Sequence, residues 1–401
     1  MILKQVHLTH FRCFQELSVA LHPRLNVFVG KNGQGKTAFL EGIVIGLREI
    51  LTLMLGDNVE GINFRPTDLR AILNESKPYM RVTLETTTGI IWDRTEQRDQ
   101  AKRTLDQIPP AKKSTELWNE LESIINAIQD RKPIDLPVIA YYGIDRINRE
   151  GVPISQQRQF PKNFNRLKAL EDSLAPNLHR FEKMIDWFAL QEDLERRERE
   201  RQNGYISPVL QSVRQAISQM LPFASNPHTV INPVDFSVTF LVTIEYQPRQ
   251  TSVLSLTQLS DGYRTMLALV MDLARRMAEA NLHLNEPLHA EAIVLIDEIE
   301  LHLHPGWQQT VLPDLQKTFP NSQFLVTTHS PQILTTVQKE NLHLLEWHSE
   351  NGVNVYKQPT NTYGAESYRL LEEVMKVSSR PQNLSEVQKL KDVYIKNNTL
   401  F

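Results

Sequence analysis

Apolar and polar positions alternate from Ile2 to Val19, which predicts one or two strands. Leu25 to Val29 is a short apolar run, read as a buried strand, that leads straight into a glycine-rich loop. Thr37 to Leu55 follows as a helix with an apolar face, and Met80 to Thr86 with Ile90 to Thr95 predict a hairpin around Thr88-Gly89. From Glu96 to Pro133 the chain is polar, with a helix over Thr115 to Ile128 and proline punctuation after it. Pro137 to Tyr142 is another strand of the buried type. Phe181, Met184, Ile185 and Phe188 then recur at helical spacing. The charged run Glu195 to Arg201 extends this helix, Asn203-Gly204 breaks it, and a further helix runs to about Met220. Phe236 to Tyr246 alternates as a strand and Thr265 to Ala280 is a strong helix. Ala292 to Ile296 and Gln323 to Thr327 are short buried strands with polar ends, and the stretch from Ser378 is polar and helical in part.

Composition narrows the class. A chain of 401 residues with 41% hydrophobic and 23% charged positions has the balance of a globular protein with a substantial core. The formal net charge of -3 gives no global attraction to nucleic acid or to an anionic membrane. The run Glu195 to Arg201 carries both signs, with Glu195–Arg199 and Arg196–Glu200 at i,i+4, and reads as a solvated helix face rather than a DNA-facing arm. Cys13 is the sole cysteine, so no intramolecular disulfide forms and a reducing compartment is expected. The start lacks the apolar core of a signal peptide, and no apolar run reaches the roughly 18 residues a membrane helix needs. A cytoplasmic protein is expected.

The chemistry concentrates at strand ends. Gly30, Lys31, Asn32, Gly33, Gln34, Gly35, Lys36 and Thr37 fit the phosphate-loop pattern G-x-x-x-x-G-K-[ST] at every position, between an apolar strand and a helix. Glycines let backbone N–H groups turn inward onto phosphate oxygens, and the helix N-terminus adds its dipole. Lys36 is expected to place a charge at the β- and γ-phosphates, and Thr37 to offer its hydroxyl to Mg²⁺. Ala292 to Ile296 ends in Asp297 and Glu298. Strand alternation would aim Asp297 at the Mg²⁺ shell and Glu298 at the attacking water, as its base. The second buried strand ends in His329, whose donor would sense the γ-phosphate. Ser260 and Gly262 open the Thr265 helix, a small hydroxyl and a glycine at a second anion-favouring N-terminus. His302 and His304 near Glu300 lack the further ligands of a metal site, and their loop is read as structural, presenting side chains to a partner subunit.

The order of phosphate loop, Leu259-Ser260-Asp261-Gly262-Tyr263-Arg264, Leu295-Ile296-Asp297-Glu298 and Thr327-Thr328-His329-Ser330 resembles that of ABC-type ATPases. His10-Phe11-Arg12-Cys13-Phe14 looks like the start of RecF, SMC, Rad50 and OLD heads rather than of transporter ATPases. Three further segments resemble a narrower group of bacterial ATPases that includes the PtuA-like subunits of Septu and retron defence systems. They are Trp187 to Glu195, Asp297 to Pro305 with Trp307-Gln308, and Tyr363-Gly364. The resemblance implies an α/β fold, an ABC-type P-loop NTPase head with an antiparallel β subdomain and a short helical insert. Residues 1–160 and 226–375 would form the two parts of the head, 161–225 the insert and 376–401 a tail. It implies ATP and Mg²⁺ as cofactors, and a homodimer or higher oligomer in which Ser260 and Gly262 reach the γ-phosphate held by the other subunit. It also implies an effector partner such as an HNH nuclease, with DNA or RNA reached through the complex. Where a Q-loop glutamine would follow Tyr142 the chain has Gly143-Ile144-Asp145-Arg146, which makes Asp145 and Arg146 the substitutes. Only about 70 residues follow Ser330, too few for a TOPRIM nuclease domain. A RecF-like repair ATPase is the alternative. A transporter motor fits less well, and an ATP-binding scaffold with little turnover is weakened by Glu298.

Overall fold

The structure is a computed structural model. It describes the chain except residues 57–58, 73–74, 113–114, 145–165, 176–179, 236, 349–351, 358–360 and 379–401. The proposed Q-loop substitutes Asp145 and Arg146 and most of the tail lie outside the described residues.

The N-terminal alternation forms two strands, β1 (Leu3–Phe11) and β2 (Phe14–Ala20), paired antiparallel from Gln5 against Ala20 to Phe11 against Phe14. Next come β3 (Leu25–Val29), the small pair β4 (Ala71–Ile72) and β5 (Glu75–Ser76), and the hairpin β6 (Tyr79–Thr86) with β7 (Ile91–Gln97). After β8 (Val138–Tyr142) the chain builds β9 (Ala224–Ile231), β10 (Val238–Gln247) and β11 (Gln250–Ser255), a separate three-stranded antiparallel sheet. Strands β12 (Ala292–Ile296), β13 (Ser322–Thr327), β14 (Leu342–His348) and β15 (Gly352–Lys357) follow. One ten-stranded sheet has the order β7-β6-β1-β2-β15-β14-β3-β13-β12-β8. Its β14-β3-β13-β12-β8 part is parallel, and the remainder is antiparallel. Strands β3, β8, β12 and β13 are buried at every residue, as parallel strands covered on both faces must be. This is an α/β fold with an antiparallel extension.

Several elements depart from the sequence reading. Strands β9, β11, β14 and β15 were not anticipated. The β14–β15 hairpin enters the middle of the large sheet between β2 and β3, although Asn351-Gly352 between two apolar runs carries a hairpin signal. The charged helix Arg180–Arg201 is not solvated throughout: Glu195 is 3% exposed. Its carboxylate accepts from Ser207 N (2.9 Å) and pairs with Arg214 (3.0 Å) and Arg199 (3.3 Å). It turns inward because the following helix, Pro208–Met220, packs there and supplies the compensating guanidinium. Arg196 pairs with Asp193 (3.6 Å) rather than following the expected spacing to Glu200. The helix expected from Thr265 begins a turn earlier, spanning Asp261–Ala280 with Ser260 as its N-cap.

That Asp261–Ala280 helix is held by a buried ion pair. Arg276 is 1% exposed and Asp272 fully buried, with Nε to Oδ2 at 2.7 Å. Arg276 also donates to the carbonyls of Ala169 (2.6 Å) and Glu171 (2.8 Å), and Tyr142 at the end of β8 donates to Asp272 (3.1 Å). Removing one partner strands the other charge in the core. Asp272→Ala should therefore lower stability by about 3–5 kcal/mol, read as a fall in the denaturant midpoint. An unchanged midpoint would mean that the pair contributes nothing net.

Candidate active site

The carboxyl ends of β3, β13 and β12 lie side by side, because Phe324 to Thr327 pair with Leu25 to Phe28 and Ala292 to Ile296 pair with Ser322 to Val326. In an open α/β sheet, such strand ends form the ligand crevice. From β3 the chain turns through Gly30 to Gly35 into the helix Lys36–Leu55. Gly33 (φ 81°) and Gly35 (φ 79°) adopt left-handed backbone that costs other residues energy. A Cβ on Gly35 would also overlap Cys13 Sγ. Burial pushes that thiol up to about 11, so it stays protonated at neutral pH. Lys36 is 6% exposed and donates to the carbonyls of Gly30 (2.9 Å) and Lys31 (3.2 Å). Burial lowers its pKa, while Asp297, Glu298 and Glu300 oppose that fall. Gln34 folds back, its side-chain oxygen accepting from Lys31 N–H; Asn32 is exposed at the loop's tip.

Thr37 donates its hydroxyl to Asp297 Oδ2 (2.7 Å), joining loop and carboxylate across 260 positions. Asp297 is 1% exposed and also accepts from the Thr327 hydroxyl. The same Thr327 oxygen accepts from Glu298 N–H (2.8 Å). The two carboxylates do not diverge by strand alternation, since β12 ends at Ile296. Glu298 instead takes a left-handed backbone (φ 47°), a turn that follows the strand. His329 is half-buried, with its backbone N–H donated to Glu300 Oε1. Burial lowers the imidazole pKa and Lys36 lowers it further, against the pull of Glu300, Glu298 and Asp297. The ring is therefore neutral at neutral pH and offers one N–H donor.

Four residues outside the sequence-based site support it. Thr327 bridges Asp297 and Glu298. Glu300 holds His329, and its second oxygen is buried without a hydrogen-bond partner among the described residues. Ser330 donates to Gln308 Oε1 (2.6 Å), and Gln308 donates to Leu303 O (2.8 Å). The motif Asp297-Glu-Ile-Glu300 already carried the signal for Glu300, as a third carboxylate one turn on. The other three needed the fold. His304 accepts from Gly306 N–H (3.2 Å) as the N-cap of Pro305–Gln308.

The structure thus gathers Gly30 to Thr37, Asp297, Glu298 and His329 at one crevice. Ser260 and Gly262 open the helix Asp261–Ala280, the serine exposed and the glycine buried. Ser260 is exposed and lines a cleft of about 390 Å³ with Phe223, Leu254 and Tyr263, none of them from the phosphate loop. Gly262 packs so tightly that a Cβ would lie 2.5 Å from His302 O.

The sequence matches the family model described as an AAA domain, AAA_23, over residues 5–221, more than half of the chain. The chain belongs to this AAA-domain family. It is 29% identical over 433 aligned positions to "Retron Ec83 probable ATPase" of Escherichia coli, covering 94% of this chain and 76% of that one. It is 47% identical over 76 residues to "Septu protein PtuA" of Bacillus mycoides (strain KBAB4), covering 19% of this chain and 10% of that one. A solved Smc head domain from Pyrococcus yayanosii aligns with a TM-score of 0.49 at 12% identity, over 93% of this chain and 99% of that one. This member of the family is an ATPase similar to the retron and Septu proteins. No helix among the described residues is long and apolar enough to cross a membrane.

Gly35→Ala should strain the loop twice, by its positive φ and by contact with Cys13. Adding Cys13→Ala should relieve only the contact. The single variant is expected to lose at least about 1 kcal/mol and the double variant to recover part of it, compared by denaturant midpoints. Full recovery would show that the backbone angle costs nothing there.

Proposed function

We propose that this ATPase closes two copies head to tail around two nucleotides and, by doing so, gates a partner effector in anti-phage defence. The observation that carries the catalytic half of this reading is the Thr37–Asp297 hydrogen bond, which places a loop hydroxyl and a buried carboxylate on one small volume. Backbone N–H groups of Gly30 to Lys36 hold the phosphates, and Lys36 turns from its loop carbonyls to the β- and γ-oxygens. Thr37 and Asp297 would hold Mg²⁺, and their hard oxygen donors suit an ion that keeps several waters and binds one or two carboxylates besides phosphate. When bound, that ion supplies charge neutralisation to the phosphates. Glu298 orients and deprotonates the attacking water, and neutral His329 donates to the γ-phosphate. Ser260 and Gly262 complete the partner's site, which accounts for an exposed serine at a helix N-terminus.

The relatives named for retrons and Septu support the defence role, and the partner is read as an effector such as an HNH nuclease. DNA or RNA is engaged through that complex, in the cytoplasm. Nucleotide-driven closure and hydrolysis-driven opening form a two-state element that a bound effector can follow.

Lys36→Ala should abolish Mg²⁺-dependent hydrolysis, with kcat down by at least about 10²-fold. Glu298→Gln should keep ATP affinity and lose turnover by about 10²–10⁴-fold. Phosphate release and calorimetric ATP titration separate the two, and equal turnover by wild type and Glu298→Gln removes Glu298 as the base. Ser260→Arg should bind ATP as a monomer and fail to turn it over. Mixing it with Lys36→Ala should restore at most one working site per dimer. Normal hydrolysis by Ser260→Arg would sink the shared-site arrangement.

A further inference from the structure

Strand β14 runs parallel to β3, with Leu342 beside Val27, His343 beside Phe28 and Leu344 beside Val29. Residues paired across a parallel ladder share a face, so His343, Leu345 and Trp347 lie on the face of Phe28. Phe28 meets Phe39 of the helix Lys36–Leu55 at 4.6 Å between ring centroids and stacks on His343 at 4.7 Å. This is therefore the face covered by the helix that begins at the phosphate loop. Where β3 ends at Val29, β14 continues through His348. Its Leu345 abuts the loop directly: a Cβ on Gly30 would lie 2.8 Å from Leu345 O. Two positions further, about 7 Å along the strand, Trp347 emerges 56% exposed.

The backbone under this exposed ring is fixed. Trp347 pairs with Val353, which is fully buried and donates its N–H to Cys13 O (3.2 Å). Arg70 donates to the same carbonyl (2.7 Å), and a Cβ on Gly352 would overlap it. His348 Nε2 and the Tyr356 hydroxyl lie 2.8 Å apart on the opposite face. A flat aromatic surface held on a pinned strand end and left open to solvent suits a flat ligand.

In the site proposed above, the γ-phosphate lies toward Asp297, Glu298 and His329, after β12 and β13 on one side of β3. A nucleotide spans its loop from γ-phosphate to base, so the base leaves on the other side of β3, over β14 and β15. Tyr356, the other exposed aromatic of that hairpin, pairs with Leu344 and so faces away.

We propose that Trp347 is the stacking platform for the base of the bound nucleotide. This rests on Gly30 to Thr37 holding the phosphates. Stacking uses the π-face that every base has and grows with base area, so the platform favours purines without reading their edges.

The test uses the full chain with Mg²⁺ and compares ATP with inorganic tripolyphosphate by calorimetry, in wild type, Trp347→Ala, Trp347→Phe and Lys36→Ala. Trp347→Ala should weaken ATP by about tenfold and leave tripolyphosphate within about twofold, with Phe restoring most of the loss. In wild type, tryptophan fluorescence should change with ATP and not with tripolyphosphate, and Trp347→Phe should remove that change although Trp92, Trp118, Trp187 and Trp307 remain. If Trp347→Ala binds ATP like wild type while Lys36→Ala does not, the platform is refuted and the phosphate loop stands. Parallel weakening of both ligands also refutes it, leaving Trp347 a structural or partner-contact residue. Failure of wild type to bind either ligand removes the phosphate-loop reading itself.

Discussion

The hydroxyl of Thr37 and the carboxylate of Asp297 meet at 2.7 Å, although β13 stands between the strands that deliver them. That contact requires β3, β13 and β12 to end level, and the parallel register from Leu25 to Thr327 and from Ser322 to Ile296 provides this. A slip of one residue in either ladder would turn every side chain to the opposite face, so the pairing and burial of these strands hold the site in register. Thr327 tightens the arrangement from the middle strand by binding Asp297 and the Glu298 backbone at once. Its hydroxyl acts both as donor and as acceptor, which an apolar residue in that fully buried position could not do.

Around this contact the charges are uneven. Asp297, Glu298 and Glu300 all act on the single buried ammonium of Lys36, and all three also act on His329. Burial weakens the charged forms of Lys36 and His329, and the carboxylates offset part of that loss. The result is a crevice with excess negative charge, fixed hard-oxygen donors and backbone N–H groups on a helix N-terminus. Such a surface favours a ligand that brings anion and cation together over either alone.

The phosphate loop and the carboxylate and histidine strands were legible because their chemistry demands particular residue types at fixed spacing. Lys36, Thr37, Asp297 and His329 are each tied to a buried apolar run that ends in the same place. The pleat argument for Asp297 and Glu298 does not apply, since β12 ends at Ile296 and Glu298 stands in a left-handed turn. Glu195 was misread because an alternating charge run looks the same whether it faces water or a later helix, and only Arg214 decides between them. Strands β14 and β15 escaped notice because Leu342 to Leu345 are buried at every position, His343 included, and such a short doubly covered run shows no polar alternation to mark it as a strand.

The position of the β14–β15 hairpin has a kinetic consequence. It fills the gap between β2 and β3, and Gln323 likewise bonds both backbone groups of Leu3 across 320 positions (2.9 and 2.7 Å). The first strands made during synthesis must therefore wait for nearly the last described ones before the sheet is continuous. Contacts this distant in sequence form slowly and leave apolar edges open meanwhile. A ribosome-bound chain that stops before Leu342 would carry the complete phosphate loop and both carboxylates beside an unpaired edge of β3, ready for capture by a chaperone.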